Sequence, residues 1–221
     1  MPDAFSATLN RVDERVDVLD ELGRPTGEVA WKSAAHRRGL WHRCSHCWVY
    51  GADGGEPYLL VQRRAATKDT WPGCLDVTAA GHLQSGEEPL DGGLRELEEE
   101  LGLVKVDPAR LVPLGTRRIE QEIPGGCDRE FHEVFLLFEP TPPEDLSLQE
   151  GEVEAVLRMG LRDAEALGDR ASVPAEEYAE GRISATRVHL SDFVPNEDEY
   201  LRRVAGAARR LLAGESPGQV F

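Results

Sequence analysis

Cysteine is scarce. The 221-residue chain holds four, Cys44, Cys47, Cys74 and Cys127, too few and too unevenly spaced for a disulfide framework, and they read as reduced thiols. Cys44 and Cys47 lie within His42-Arg43-Cys44-Ser45-His46-Cys47, which has the look of a zinc cluster. No second cysteine pair completes a tetrahedral site. The run continues into Trp48-Val49-Tyr50 and reads as a strand with His42, Cys44 and His46 on one side and Cys47 on the other. Long apolar runs are missing too. Val134–Phe138 falls far short of the roughly 20 residues a spanning helix needs, so no membrane partner is expected. The N-terminal stretch carries Asp3, Asp13 and Glu14 and no basic start followed by an apolar segment, which predicts a cytoplasmic protein without a secretory signal. Basic charge is also short, with 25 Lys and Arg against 41 Asp and Glu and a net charge of −16. That balance argues against a nucleic-acid polymer as partner, because phosphate-backbone binding needs a basic face. An anionic substrate could be held only by local Arg and Lys groups or by bound cations.

What is present is a globular composition, 40% apolar and 30% charged. After a polar lead-in over residues 1–12, Arg15–Asp20 alternates like an edge strand, Glu21–Gly27 turns the chain and Val29–Trp31 returns it. Ser33–Arg38 reads as a connecting turn, His42–Tyr50 as a longer strand, Ala52–Gly55 as a turn, Tyr58–Arg63 as the hairpin partner and Leu75–Ala80 as a further strand. The period then changes. Leu90, Leu94, Leu97 and Leu101 fall at i, i+4, i+7 and i+11, which predicts a helix over 89–101 with Pro89 in its first turn and Gly102 as its stop. Strands follow at Leu111–Ile119, Glu133–Phe138 and Val153–Met159, with a proline-rich turn at Pro140–Pro143. Leu161–Leu167 reads as a short helix, Ser172–Arg187 as loop and Asn196–Leu212 as a C-terminal helix. Strands and helices without regular alternation predict the α+β class. The exposed strands of the N-terminal hairpin offer edges that could pair across a homodimer.

The chemistry concentrates in one stretch, Gly81-His-Leu-Gln-Ser-Gly-Glu87, seven residues, then Arg95-Glu96-Leu97-Glu98-Glu99-Glu100-Leu101-Gly102-Leu103. At about 100° per residue, Glu99, Glu96 and Glu100 project near −60°, 0° and +40°, away from the leucines near 130°. Like charges at i, i+3 and i+4 cost a few tenths of a kcal/mol per pair unless a cation neutralises them. The natural partner is a hard divalent ion such as Mg²⁺, which takes carboxylate oxygens together with substrate phosphates.

Residues 81–103 resemble the box of the Nudix family at every position: Gly, five residues, Glu, seven residues, Arg-Glu-apolar-x-Glu-Glu-x-Gly-apolar. The flanks resemble its isopentenyl diphosphate isomerase-like branch, through Asp20-Glu21-x-Gly23-x-x-Thr26-Gly27, Ala35-His36, His42, Gln62-Arg63-Arg64-(x)₃-Lys68-(x)₂-Trp71-Pro72-Gly73 and Asp76-Val77-(x)₃-Gly81-His82. The resemblance implies an α/β/α sandwich around a mixed sheet. The chain is expected to divide into a lead-in and hairpin over 1–40, a catalytic core over 41–170 and a C-terminal loop and helix over 171–221. It also implies Mg²⁺-dependent hydrolysis, with Mn²⁺ as an alternative, of a small-molecule diphosphate: a nucleoside diphosphate derivative or a prenyl diphosphate.

Carried onto this chain, Glu96, Glu99 and Glu100 would hold the metal with a backbone carbonyl near Ala80 or Gly81. Arg95 would position the box carboxylates, in a bidentate pair with Glu87. The glutamate that takes the proton from water would be Glu96 or Glu99, or one from a distal loop, with Glu130 and Glu133 ahead of Glu150 and Glu152. Arg64 and Lys68 resemble the branch's diphosphate-binding residues. His36, His42, His82 and Glu133 occupy places resembling the isomerase metal ligands, a second site. The isomerases carry cysteine immediately before the box glycine, where this chain has Ala80. A methyl group can neither deliver nor remove a proton. That departure, with the complete Arg-Glu-x-x-Glu-Glu element, favours hydrolysis over isomerisation. A non-catalytic nucleotide-binding sensor is a third reading, which the intact box opposes.

Overall fold

The computed structural model describes residues 13–52, 54–196 and 199–221; the lead-in over 1–12 and the acidic positions 197–198 lie outside the described residues. The elements are β1 (Arg15–Leu19), β2 (Pro25–Trp31), α1 (Lys32–Arg38), β3 (Trp41–Gly51), β4 (Tyr58–Arg64), β5 (Leu75–Asp76), β6 (Ala79–His82) and α2 (Pro89–Leu101). There follow β7 (Leu111–Ile123), β8 (Gly126–Phe138), β9 (Val153–Gly160), α3 (Leu161–Ala166), β10 (Val173–Ala179), β11 (Arg182–Val188) and α4 (Tyr200–Leu212).

All the strands join one mixed sheet organised around β3. One edge of β3 pairs in parallel with β8 from Trp41↔Arg129 to Tyr50↔Phe138. The opposite edge is shared in turn by β1 at Trp41, β6 at Cys44–Cys47 and β4 at Val49–Gly51. Buried on both faces, β3 reads as a nearly continuous apolar run at its C-terminal end.

Alternation along the strands splits the core in two. Tyr58, Leu60, Cys47, Val49 and Val156 pack with Leu97 and Leu101 of α2. Leu59, Val61, Trp48, Tyr50, Leu157 and Met159 pack on the other face with Leu161 and Ala164 of α3 and Tyr200, Val204 and Ala208 of α4. The result is the α/β/α sandwich. Leu97 and Leu101 are fully buried, and each contributes about 1.5–3 kcal/mol by leaving water. α2 closes as its periodicity predicts: Gly102 takes φ 70° and its N–H reaches the Leu97 and Glu98 carbonyls. The helix also lies very close to β3, since a Cβ at Gly93 would stand 2.8 Å from Cys47 Sγ and Ser45 Oγ.

Several segments differ from the sequence reading. Residues 33–38 are not a turn but part of helix α1, closed by a left-handed Gly39. The first turn is shorter, with Asp20 Oδ1 accepting from the N–H groups of Leu22 and Arg24, so β2 starts at Pro25. Leu75–Ala80 is broken into β5 and β6, which pair with different neighbours, β4 and β3. Residues 172–187, read as loop, form the β10–β11 hairpin, and β10 extends the sheet from β9. Its strands carry charged residues on a solvent-facing edge, which masks the period-two signal. The sheet thus runs through all three expected segments.

Candidate active site

Two donor sets meet at β6, one on each face of the strand. On the α2 face, Gly81 lies under Glu96: a Cβ at 81 would sit 1.9 Å from Glu96 Oε1. Glu100 is almost wholly buried and accepts from the Ala80 N–H at 3.1 Å and from Gln62 Nε2 at 3.3 Å. Arg95 ties the cluster together. Its Nε and Nη2 donate to the two oxygens of Glu87 at 2.8 and 3.0 Å, and its Nη1 donates to Glu96 at 2.5 Å and to Glu99 at 3.3 Å. Nη2 also donates to the His82 carbonyl at 3.1 Å, fixing helix to strand. Glu99 is the exposed member, with 48% of its side chain accessible.

The electrostatics of this face call for a cation. Burial raises the pKa of Glu96 despite Arg95, and burial together with the Glu96 charge pushes Glu100 up to about 8. Glu87, although partly buried, is held below its ordinary range by the Arg95 guanidinium. A hard divalent ion fits this all-oxygen set, because it would supply the positive charge that two buried carboxylates share only with Arg95 and the more distant Lys68. Lys68 itself forms an ion pair with Glu152, beside Glu100. Arg64 is turned inward, donating to Asp76 at 2.8 Å and to the Thr70 carbonyl at 3.0 Å, and so shapes the 65–74 loop.

On the opposite face, His36, His42, His82 and Glu130 offer ligand atoms that all lie within 4.8 Å of one another. The parallel register sets His42 opposite Glu130, and β6 sets His82 opposite Cys44. Glu130 Oε1 is 3.1 Å from His82 Nε2 and 3.4 Å from His42 Nε2, and His36 Nε2 is 3.1 Å from His82 Nε2. His42 Nδ1 lies 2.9 Å from the Leu40 carbonyl, so it carries the proton and leaves the lone pair of Nε2 pointing into the cluster. That Nε2 is buried and makes no hydrogen bond. Burial, with the neighbouring His42, lowers His36 to about 4, and burial lowers His82 to about 3. His42 goes the other way: burial disfavours its charge, but the Glu130 carboxylate outweighs it. Glu130, although buried, is held well below the carboxylate range by hydrogen bonds from His132 and His82. Three imidazoles and a carboxylate suit a borderline ion such as Zn²⁺ or Fe²⁺ better than Mg²⁺.

One member of the expected second site is corrected. Glu133 does not join the histidines; Glu130 does. β8 alternates, so Glu130 and His132 face the cluster while Glu133 turns to the other side, where Thr116 Oγ1 donates to it at 2.8 Å and Arg43 Nε lies at 3.4 Å. Sequence reasoning missed Gln62 as a Glu100 partner and Asp128, whose buried Oδ1 has no hydrogen bond and lies 3.4 Å from His36 Nε2. It also missed His132, whose Nε2 donates to Glu130 at 2.7 Å. A signal existed: Asp128, Glu130 and His132 repeat with period two, as His42, Cys44 and His46 do. The four cysteines are free thiols, and Cys44 and Cys47 are buried on opposite faces of β3.

The fold and the box define a Nudix domain, and residues 40–180 match that domain. An uncharacterized Nudix hydrolase of Clostridium acetobutylicum is 33% identical over 204 residues, covering 88% of this chain and 97% of that protein. The isopentenyl-diphosphate Delta-isomerase of Streptomyces avermitilis is 34% identical over 206 residues, covering 92% and 89%. A crystal structure of a Deinococcus radiodurans protein shares the fold, with a TM-score of 0.54 and 21% identity over 69% of this chain and 87% of that one. The chain belongs to the Nudix hydrolase family. Hydrolase-named and isomerase-named relatives stand at similar identity, which sets it in the isopentenyl diphosphate isomerase-like branch. Among the described residues no helix is long and apolar enough to cross a membrane.

Proposed function

We propose that the chain cleaves a diphosphate linkage, in a nucleoside diphosphate derivative or a prenyl diphosphate, with Mg²⁺ at Glu96, Glu99 and Glu100 and a second, borderline cation at His36, His42, His82 and Glu130. The observation that carries this reading is the pair of buried carboxylates, Glu96 and Glu100, packed against the β6 backbone at Gly81 and Ala80. Bound Mg²⁺ would offset the substrate's phosphate charge and lower the pKa of an attacking water.

The protein's own groups do the rest. Arg95 holds Glu87, Glu96 and Glu99 at fixed spacing, so the carboxylates need no reorganisation when phosphate arrives. Gln62 and the Ala80 N–H hold one oxygen of Glu100. Glu99, the solvent-reaching member, takes the proton of the attacking water. Glu130 is a poor proton acceptor, because its ionised form is so strongly favoured, and its role is in the histidine cluster. Lys68, paired with Glu152 beside Glu100, is assigned to a substrate phosphate, a role its position near the box carboxylates supports.

Isomerisation is the second reading, supported by the histidine cluster and the isomerase-named relatives. Against it stands the Ala80 methyl, on the same face of β6 as His82. ³¹P NMR on a panel of nucleoside diphosphates, nucleotide conjugates and isopentenyl diphosphate separates the two. Mg²⁺-dependent phosphate release that EDTA abolishes supports hydrolysis; prenyl isomer without cleavage overturns it in favour of isomerisation. No turnover of any member would favour a nucleotide-binding sensor.

A further inference from the structure

Behind the histidine cluster, four side chains from four separate elements close a ring. Arg117 of β7 lies with its guanidinium carbon 4.2 Å from the Tyr200 ring centroid. The Tyr200 hydroxyl, on α4, is 3.1 Å from His46 Nδ1 on β3. His46 stacks on His132 of β8 with ring centroids 3.8 Å apart. Arg117 Nη1 is 3.2 Å from His132 Nδ1, which completes the circuit. Arg117, His132 and Tyr200 are buried and His46 is half-buried, and Tyr200 is wedged edge-on between Trp48 and Phe221.

The chemistry of Arg117 decides the state of His132. A guanidinium has donors and no acceptor, so His132 Nδ1 must be the unprotonated nitrogen. The proton of a neutral His132 is then on Nε2, where it is donated to Glu130 Oε2 at 2.7 Å. That bond divides the two oxygens of Glu130: Oε2 is taken by His132 and Oε1 faces His82 and His42. With the other tautomer, His132 would oppose its Nδ1–H to the guanidinium and its bare Nε2 to the carboxylate, two repulsive contacts in place of two hydrogen bonds. Groups that hold a ligand carboxylate from behind commonly change metal affinity 10–100-fold when removed.

We propose that Arg117 and Tyr200 are positioning residues that lock His132 in its Nε2–H tautomer, and that His132 thereby holds Glu130 with Oε1 aimed at His36, His42 and His82. The aromatic face of Tyr200 keeps the guanidinium beside His132 Nδ1, and so the C-terminal helix, distant in sequence from every box residue, sets the geometry of the cluster. The role assigned to Glu130 rests on the reading of that cluster as a cation site; the tautomer does not.

The test uses the full chain. Long-range ¹H–¹⁵N spectra of the metal-free protein, with His132→Gln to assign the signals, report which ring nitrogen of His132 carries the proton. The expected result is Nε2–H in the native protein and in Arg117→Lys, which keeps a donor-only cation, and a mixed or reversed tautomer in Arg117→Met. Nδ1–H in the native protein, or an unchanged tautomer in Arg117→Met, overturns the proposal. Co²⁺ titration of the same samples, read by the visible d–d bands, tests the consequence. Affinity at the histidine cluster should fall about 10-fold or more in Arg117→Met and less in Tyr200→Phe, with weak binding at the box unchanged. Equal affinities in native and Arg117→Met proteins, with the native cluster binding, refute the positioning of Glu130. Failure of the native protein to bind Co²⁺ at the cluster sinks the cation-site reading and the role of Glu130 with it, while the tautomer assignment is judged by the ¹⁵N result alone.

Discussion

Gly81 and Glu96 occupy each other's space: the carboxylate of Glu96 stands where the first carbon of any side chain at position 81 would go. The glycine is therefore required by the carboxylate above it. Its backbone is not in the left-handed region, so conformational freedom is not the reason.

Gly81→Ala should accordingly displace Glu96 while leaving β6 paired. Overpacking of this kind costs roughly 1–3 kcal/mol, a modest shift in a thermal melt. Mg²⁺-dependent turnover should fall far more, by at least about 10-fold, because the displaced group is assigned to the metal. A variant that loses stability and keeps its kcat would show that Glu96 is not used in catalysis.

Glu99→Gln and Glu100→Gln should each abolish Mg²⁺-dependent cleavage with the fold intact by circular dichroism. Neither contributes an apolar contact to the helix–sheet core. Unchanged kcat in both variants would remove the box carboxylates from the mechanism.

The pH dependence of stability in EDTA should expose Glu100. Its folded pKa of about 8 lies above the ordinary value of 4.5, so between those limits the folded state binds more protons than the unfolded one. Its contribution is thus fully present below pH 4.5 and is lost as pH rises through 8. Relative to Glu100→Gln, the native protein should become progressively less stable from pH 5 to 8 in denaturant titrations. Saturating Mg²⁺ should flatten the difference, because the ion takes the place of the proton. A native-minus-variant difference independent of pH would contradict the raised pKa.

Ala80→Cys should not by itself produce an efficient isomerase. A thiol there would join His82 on the histidine face, but the box on the other face would still direct water at phosphorus. Rapid double-bond migration by this variant, followed by ¹H NMR on isopentenyl diphosphate, would show that one proton donor is all the isomerase reading lacks.

The legibility of the chain follows physical range. Helix α2 could be read to its last residue because its signals, Pro89, the leucine spacing and Gly102, are local. The carboxylate face came with it. Glu130 could not be told from Glu133, because a one-residue slip in the pairing of β8 with β3 exchanges the two faces, and that register joins residues about ninety apart in the chain. The β10–β11 hairpin was hidden for another reason: as an edge with one wet face it carries Glu176, Glu177, Arg182 and Arg187 where a buried strand would carry apolar residues. Helix α1 was obscured by its length of seven residues, less than two full turns and too short for a period to show.

The four residues of β6 act as a partition. Odd positions, Ala79 and Gly81, belong to the helix that carries the box; even positions, Ala80 and His82, belong to the histidine chamber. A substitution at an even position can alter the histidine side without touching the box carboxylates, and the converse holds for odd positions. The pleat of one short strand thus allows the two sets of side chains to vary independently within a single scaffold.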